Sequence, residues 1–334
     1  MVSGTIQDSA KNKGDAMLRK ACAGYLALMM SCSVAFARVD SMDIGDNTMN
    51  WRSFVTDEPA VAFAQSKGRL WYATASGAGY YSVKTNAKQV LTSIAGLPTQ
   101  GITSMAADSR GGVWIGTPQG AAYTGDGQSF KAYTKKDGLA DDAVTVIHAA
   151  RDGSVWIGSP KGVAVYRNGS LTVYSTAQGM CGNDVRDIAS NKQGTVFVAT
   201  NGGVAVYKAG QWSRHDQSTG LSSNDVRAVA WDGRKEHLWV AVGESDINSF
   251  NGKKWEDFMD VQEGVACIMV DTQSRVWVGS GDGIIKYNGF EWVYDPAKMP
   301  FPAAMCSSMH RDSGGNLWFA IDTGVMRLQN PYPY

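Results

Sequence analysis

The chain is poor in cysteine and evenly balanced in charge, and each absence narrows what it can be. Only 5 of its 334 residues are cysteine, and no CxxC, CxxCH or metal-like Cys/His spacing occurs. That leaves no metal site to name. Basic and acidic residues number 31 each, for a formal net charge of zero, so nothing points to nucleic acid as a partner. No G-x-S-x-G, HExxH, phosphate-loop or EF-hand pattern is present, and neither a catalytic residue nor a cofactor is expected. Charged residues are only 19% against 44% hydrophobic, a balance that is globular rather than disordered.

What the chain has in plenty is glycine and aromatic side chains. There are 38 Gly, 11 Trp, 13 Tyr and 10 Phe, with Gly well above the average of about 7%. That combination points to many turns and many short strands.

The N-terminus reads as a targeting segment. Residues 17 to 37, MLRKACAGYLALMMSCSVAFA, set Arg19 and Lys20 before an apolar stretch that ends Ala35-Phe36-Ala37. This is the pattern of a secretory signal peptide cut after Ala37, with Met1 or Met17 as the start. A lipoprotein anchored through Cys32 and a single uncleaved membrane anchor are the alternatives. Residues 1–37 carry 4 basic and 2 acidic residues, so cleavage leaves 27 and 29, a net of −2. The expected location is periplasmic or secreted, with no transmembrane domain after cleavage. Cys181, Cys267 and Cys306 then remain. At most one disulfide can form, Cys267 with Cys306 being the pair to watch and Cys181 the free thiol.

Beyond a short linker, 38–49, the sequence repeats itself. RLWYAT at Trp71 is followed by GVWIGT at Trp114, SVWIGS at Trp156, TVFVAT at Phe197, HLWVAV at Trp239, RVWVGS at Trp277 and NLWFAI at Trp318. The spacings are 43, 42, 41, 42, 38 and 41 residues, the period of propeller blades. Each unit reads as an innermost strand, a turn, the Trp strand, a second turn with Gly six residues after the aromatic, a third strand and an outer strand. Gly77, Gly120, Gly162, Gly203, Gly283 and Gly324 fill that glycine slot, Ser245 replaces it in the fifth unit, and a positive φ is expected there. The seventh unit lacks an outer strand, whereas NWRSFVT, residues 50–56, is one too many at the start. The expected fold is therefore all-β: a seven-bladed β-propeller over 50–330 with four-stranded antiparallel blades. The N-terminal strand closes the last blade, and 331–334 form a tail.

The repeats ITSMAADSRGGVWIGTPQGAAY and VTVIHAARDGSVWIGSPKGVAVY resemble those of the two-component regulator propeller family. That resemblance implies a periplasmic sensor propeller of the kind that precedes a membrane helix and a histidine kinase. Neither follows in this sequence, so it looks like the sensor half alone, with a membrane sensor kinase as one conceivable partner.

Function on such a ring is expected in loops at one face, near the central channel. Residues just before the glycine slot vary and include Lys161, Glu244 and Asp282. The connections between blades contribute Glu263, while Arg186 and Arg227 stand eleven and twelve residues before their aromatics, where other units have Thr103, Thr145, Ala266 and Ser307. Lys161, Arg186 and Arg227 fall on blades three to five, and Glu244, Glu263 and Asp282 on blades five and six. That mouth would suit a zwitterionic or sugar-like small molecule, or a loop of a protein partner. The same charges can instead serve solubility, with Arg186 and Arg227 paired to Asp184 and Asp225. His148 and His310 share a slot in blades three and seven, which are distant around the ring, so a shared metal is not expected. His215 takes a packing slot used elsewhere by Phe54, Tyr133 and Phe258. An exported, non-enzymatic binding propeller is the leading expectation. A lyase of the virginiamycin B type, and a scaffold for an extracellular complex, are the alternatives.

Overall fold

A computed structural model describes residues 51–55, 58–85, 87–261, 264–281, 283–293, 305–312, 314–322 and 324–329. The signal peptide, the linker, the C-terminal tail, Glu263 and Asp282 lie outside the described residues. Seven four-stranded antiparallel sheets follow one another, from Trp51–Val55 to Gly324–Leu328. Three 3-10 turns, Lys135–Asp137, Thr176–Gln178 and Gln217–Thr219, are the helical elements among the described residues, and no helix there is long and apolar enough to cross a membrane.

Closure follows the strand count. Trp51–Val55 pairs antiparallel with Gly324–Leu328, Trp51 opposite Leu328 and Val55 opposite Gly324. The last blade thus takes its outer strand from the start of the chain, which leaves no open seam to pair with another sheet.

The repeated tryptophans sit between blades. Trp114 is fully buried and packs against Tyr123 and Tyr133 of its own blade and Tyr166 of the next. Trp156 meets Tyr207 and Trp212 of blade four, and Trp239 meets Tyr287 and Trp292 of blade six. Each such ring contributes about 2–3 kcal/mol of apolar burial. In blades six and seven an acidic residue six before the tryptophan serves both the turn and the ring. Asp271 accepts the N–H groups of Gln273 and Arg275 on one oxygen and the Trp277 indole N–H on the other. Asp312 repeats this on Gly314, Asn316 and Trp318. One carboxylate both folds the turn and satisfies a buried indole.

The glycine slot is set by two constraints at once. Gly162 and Gly203 have φ of 128° and 115°, and a Cβ on either would come within 2.3 Å of a carbonyl oxygen of the outer strand, that of Tyr174 or His215. Gly77 departs from the expectation: it is not among the positive-φ glycines, and a Cβ there would meet nothing. The outer strand of blade one, Lys88–Val90, ends its ladder at Gly79, and after one further bond from the Leu91 N–H to the Ala78 carbonyl it brings no carbonyl within reach of Gly77.

Three successive connections, from blade two to blade five, share one construction. Thr134, Ser175 and Asp216 open 3-10 turns as capping boxes with Asp137, Gln178 and Thr219. Asp142, Asn183 and Asn224 reach back to the first backbone N–H of each turn, and Leu139, Met180 and Leu221 are buried beneath. These connections deliver the innermost strands of blades three, four and five to the channel.

Candidate functional site

The seven innermost strands surround a channel of about 750 Å³. Its rim is built on a repeated slot. In blades two, three and seven the slot holds a hydroxyl that donates across to the next blade's backbone. Thr103 donates to the Val144 carbonyl at 2.7 Å, Thr145 to that of Val185 at 2.6 Å, and Ser307 to that of Ala60 at 2.8 Å.

Blades four and five place Arg186 and Arg227 in this slot. Both are β-bulge residues, as the ladder slips between Val185 and Asp187 and again between Val226 and Ala228. A regular strand sends neighbouring side chains to opposite faces, whereas a bulge re-aims one of them. Arg186 and Asp187 consequently both line the channel, with Arg227 on the adjacent blade.

The two arginines share a carboxylate. Arg186 reaches Asp225 at 2.5 Å and Asp184 at 3.3 Å, while Arg227 meets Asp225 at 3.5 Å. Their side chains are 30% and 40% exposed, so the pairs are half in solvent and each contributes little to stability. Pairing with Asp184 and Asp225, one of the two readings of these loops, is therefore realised, yet five N–H donors on each guanidinium exceed what the carboxylates accept.

Asp187 accepts the N–H of Ile188 at 2.8 Å and of Val229, in the next blade, at 2.9 Å. It stands where Ser104 accepts the Ile147 N–H at 2.9 Å, so a carboxyl fills a slot that a hydroxyl fills elsewhere. Desolvation pushes its pKa up to about 6, against the opposing pull of its two N–H donors. Among the described residues no ion pair reaches it.

The other candidates lie apart from this cluster. Lys161 is on the exposed turn of blade three and pairs with Asp141 at 2.7 Å; that hydrogen bond holds the Asp141 carboxyl below its ordinary range. Glu244 is exposed on the turn of blade five. Neither lines the channel.

The histidines are the part that blade counting missed. His148 and His310 both line the channel, and the charge of His310 reaches His148 across it. Desolvation inside the ring first, and that charge second, lower the His148 pKa to about 4; His310, though its side chain is exposed to the channel, is lowered too, chiefly by the same desolvation. His148 Nε2 lies 2.8 Å from Ser190 Oγ. Blades far apart around the ring are brought near each other at its axis, and the shared slot number was the signal. Three or more His, Cys, Asp or Glu side chains do not converge anywhere as a metal site among the described residues. His215 packs as expected, 4.5 Å from Phe250 and 5.5 Å from Trp255 between ring centroids. Phe258 leaves the corresponding slot, displaced by an irregularity that pairs Met259 with Ile247 and Asp257 with Asn248.

The class this geometry defines is a seven-bladed propeller with a polar, asymmetrically lined channel. Residues 96–119 match the family model described as two component regulator propeller, in agreement with the resemblance read from the repeats. No curated protein matches the chain. Among solved structures, it is similar to the extracellular domain of a putative hybrid two component system protein from B. thetaiotaomicron. The TM-score is 0.67 at 21% identity, over 82% of this chain and 39% of that one, so this chain spans well under half of that structure. It is also similar to virginiamycin B lyase from Staphylococcus aureus with Quinupristin, with a TM-score of 0.67 at 13% identity over 84% and 98% of the two chains. A third, YCF48 bound to D1 peptide, gives a TM-score of 0.63 at 14% identity over 83% and 96%. At these identities the likeness is one of fold.

Proposed function

We propose that this is an exported, non-enzymatic binding propeller that recognises a small polar ligand, or a loop of a partner protein, at the channel mouth of blades four and five. One observation carries the reading. Arg186 and Arg227 occupy the slot in which blades two, three and seven hold an inter-blade hydroxyl bond. Blades one and six also lack that bond, with Val61 and Ala266 in the slot, but only blades four and five place a guanidinium pair there, facing the channel. Spare N–H donors suit a carboxylate or another anionic oxygen group, and the channel volume suits a small molecule. Lys161, Glu244, Glu263 and Asp282 would supply outer contacts on the same face. The fold shared with the extracellular domain of a hybrid two component protein supports a sensing role, with a membrane kinase as the receiver of the signal.

Native purification from the source organism, followed by mass spectrometry of what stays bound, tests this. A retained small molecule or a stoichiometric protein is expected, and it should be lost from the Arg186→Ala plus Arg227→Ala variant. Unchanged retention in that variant overturns the site.

A lyase reading is favoured by two observations, the histidine pair in the channel and the likeness to virginiamycin B lyase. It requires turnover of quinupristin that is lost in His148→Ala. A scaffold reading gains support from a propeller of this fold that holds a peptide, and it predicts the co-purified protein rather than the small molecule.

A further inference from the structure

Cys267 and Cys306 stand two slots apart in the repeat on adjacent blades, at the seam between blades six and seven. Cys306 takes the place that Val144, Val185, Val226 and Val265 hold in blades three to six, immediately before the rim slot, and it is fully buried. Cys267 takes the place of Ser104 and Asp187, lines the channel and is only half buried. Its Sγ lies 3.5 Å from the Cys306 carbonyl oxygen. Gly279 opens the space in which they meet: a Cβ on that glycine would fall 2.6 Å from Cys267 Sγ and 3.1 Å from Cys306 Cβ. In blades two and three the same glycine slot, Gly116 and Gly158, faces a valine of the next blade, at 2.7 Å from Val144 and 2.5 Å from Val185. Both thiols are free, and Cys181 stands apart in blade four beside Thr200.

We infer that Cys267 and Cys306 form an oxidisable dithiol site that accepts a cross-blade disulfide by exchange with a low-molecular-weight or protein disulfide. The inference is independent of the binding site proposed above. Access sets the order of steps. Cys267, facing the channel, attacks the disulfide RSSR as its thiolate, forming the mixed disulfide and expelling RS⁻. Cys306 then loses its proton and attacks the Cys267 sulfur, forming the Cys267–Cys306 bond and expelling the second RS⁻. The balance is protein dithiol plus RSSR to protein disulfide plus two RSH: the cysteines are oxidised by two electrons and RSSR is reduced. Contact with the Cys306 thiol, and then burial, raise the Cys267 pKa, so exchange is slow at neutral pH and accelerates as pH rises toward 9. The product ties the innermost strand of blade six, Val265–Val270, to that of blade seven, Cys306–Arg311. It would be a covalent counterpart to the closure that Trp51–Val55 makes on the outer side of blade seven.

The experiment uses the full chain, incubated under native conditions with oxidised glutathione at pH 8.5. Remaining thiols are then blocked with iodoacetamide in denaturant, and the protein is digested with trypsin without reduction. The expected product joins peptide 255–275 to peptide 299–311, with Cys181 alkylated. Oxidation should raise the melting temperature by several degrees, on the order of what closing a loop of this length confers. Cys267→Ser should abolish both the cross-link and the thermal response to glutathione. Recovery of Cys267 as a lasting glutathione adduct, alkylation of both cysteines, or a cross-link of either to Cys181 would overturn the inference.

Discussion

Blades two and three stand beside blades four and five around the same channel, are written in the same repeat, and finish their rims in opposite ways. On the first side Thr103 and Thr145 spend the rim position on the neighbouring blade's carbonyl. On the second, Arg186 and Arg227 spend it on Asp225 and the channel. The scaffold needs a bond at this position less than it needs the tryptophans and turn carboxylates below, since the ring closes with both solutions present. The slot is thus free to vary, since Val61 and Ala266 in blades one and six make no hydroxyl bond there either and the ring still closes. Departure from the blade consensus is informative where it falls on a position with a known structural task.

That contrast can be broken from either side. The largest effect is expected from Thr103→Val plus Thr145→Val, which removes two inter-blade hydrogen bonds and leaves two carbonyls without them. Stability should fall by about 2 kcal/mol, roughly 1 for each bond, as read from urea denaturation, with ligand retention unchanged. Loss of retention in this variant would mean that the two arcs are not separate in function.

Arg186→Thr makes the reverse exchange. A threonine there should donate to the Val226 carbonyl as Thr145 does to Val185, adding about 0.5–1 kcal/mol, and under the proposed function it should abolish ligand retention. A stability gain with retention intact would move the site away from Arg186.

The titratable groups lining the channel should show themselves in pH dependence. His148, held at about 4 against an ordinary 6.5, is neutral in the folded protein. The stability this represents is present above pH 6.5 and is lost as pH falls toward 4. Asp187, raised to about 6, acts with the opposite sign: its contribution is present below the ordinary carboxylate pKa and is lost as pH rises through 6. Melting temperatures from pH 7 to 4 should therefore fall less steeply in His148→Gln and more steeply in Asp187→Asn. Parallel curves for wild type and both variants would place these groups in water. The smallest effect is expected from Lys161→Ala. Its ammonium is exposed, so the melting temperature should not change measurably, and retention should weaken by no more than a few-fold in binding titrations.

Much of the ring was legible from residue types alone. Seven aromatic slots at a period near 41, an outer strand missing at one end and spare at the other, and a glycine six residues after the aromatic in six of the seven units all describe local chemistry that the blades repeat. Gly77 departs from the pattern because the close approach that excludes a Cβ in other blades is made by a carbonyl of another strand, which blade one does not bring within reach. The rim was legible only as a list of positions. Asp187 passed unnoticed beside Arg186, since strand alternation would have sent the two to opposite faces.

The sequence by itself determined the number of blades, their strand order, the closing partner of the last sheet and the residues that vary at the rim, because these depend on periodicity and turn chemistry within one unit. The tertiary structure alone decided which of those residues meet. A one-residue bulge aims Arg186 and Asp187 together into the channel. The curvature of the ring brings His148 within electrostatic reach of His310, and the packing of adjacent innermost strands sets Cys267 against Cys306. Those encounters depend on distances between blades, and no spacing along the chain encodes them.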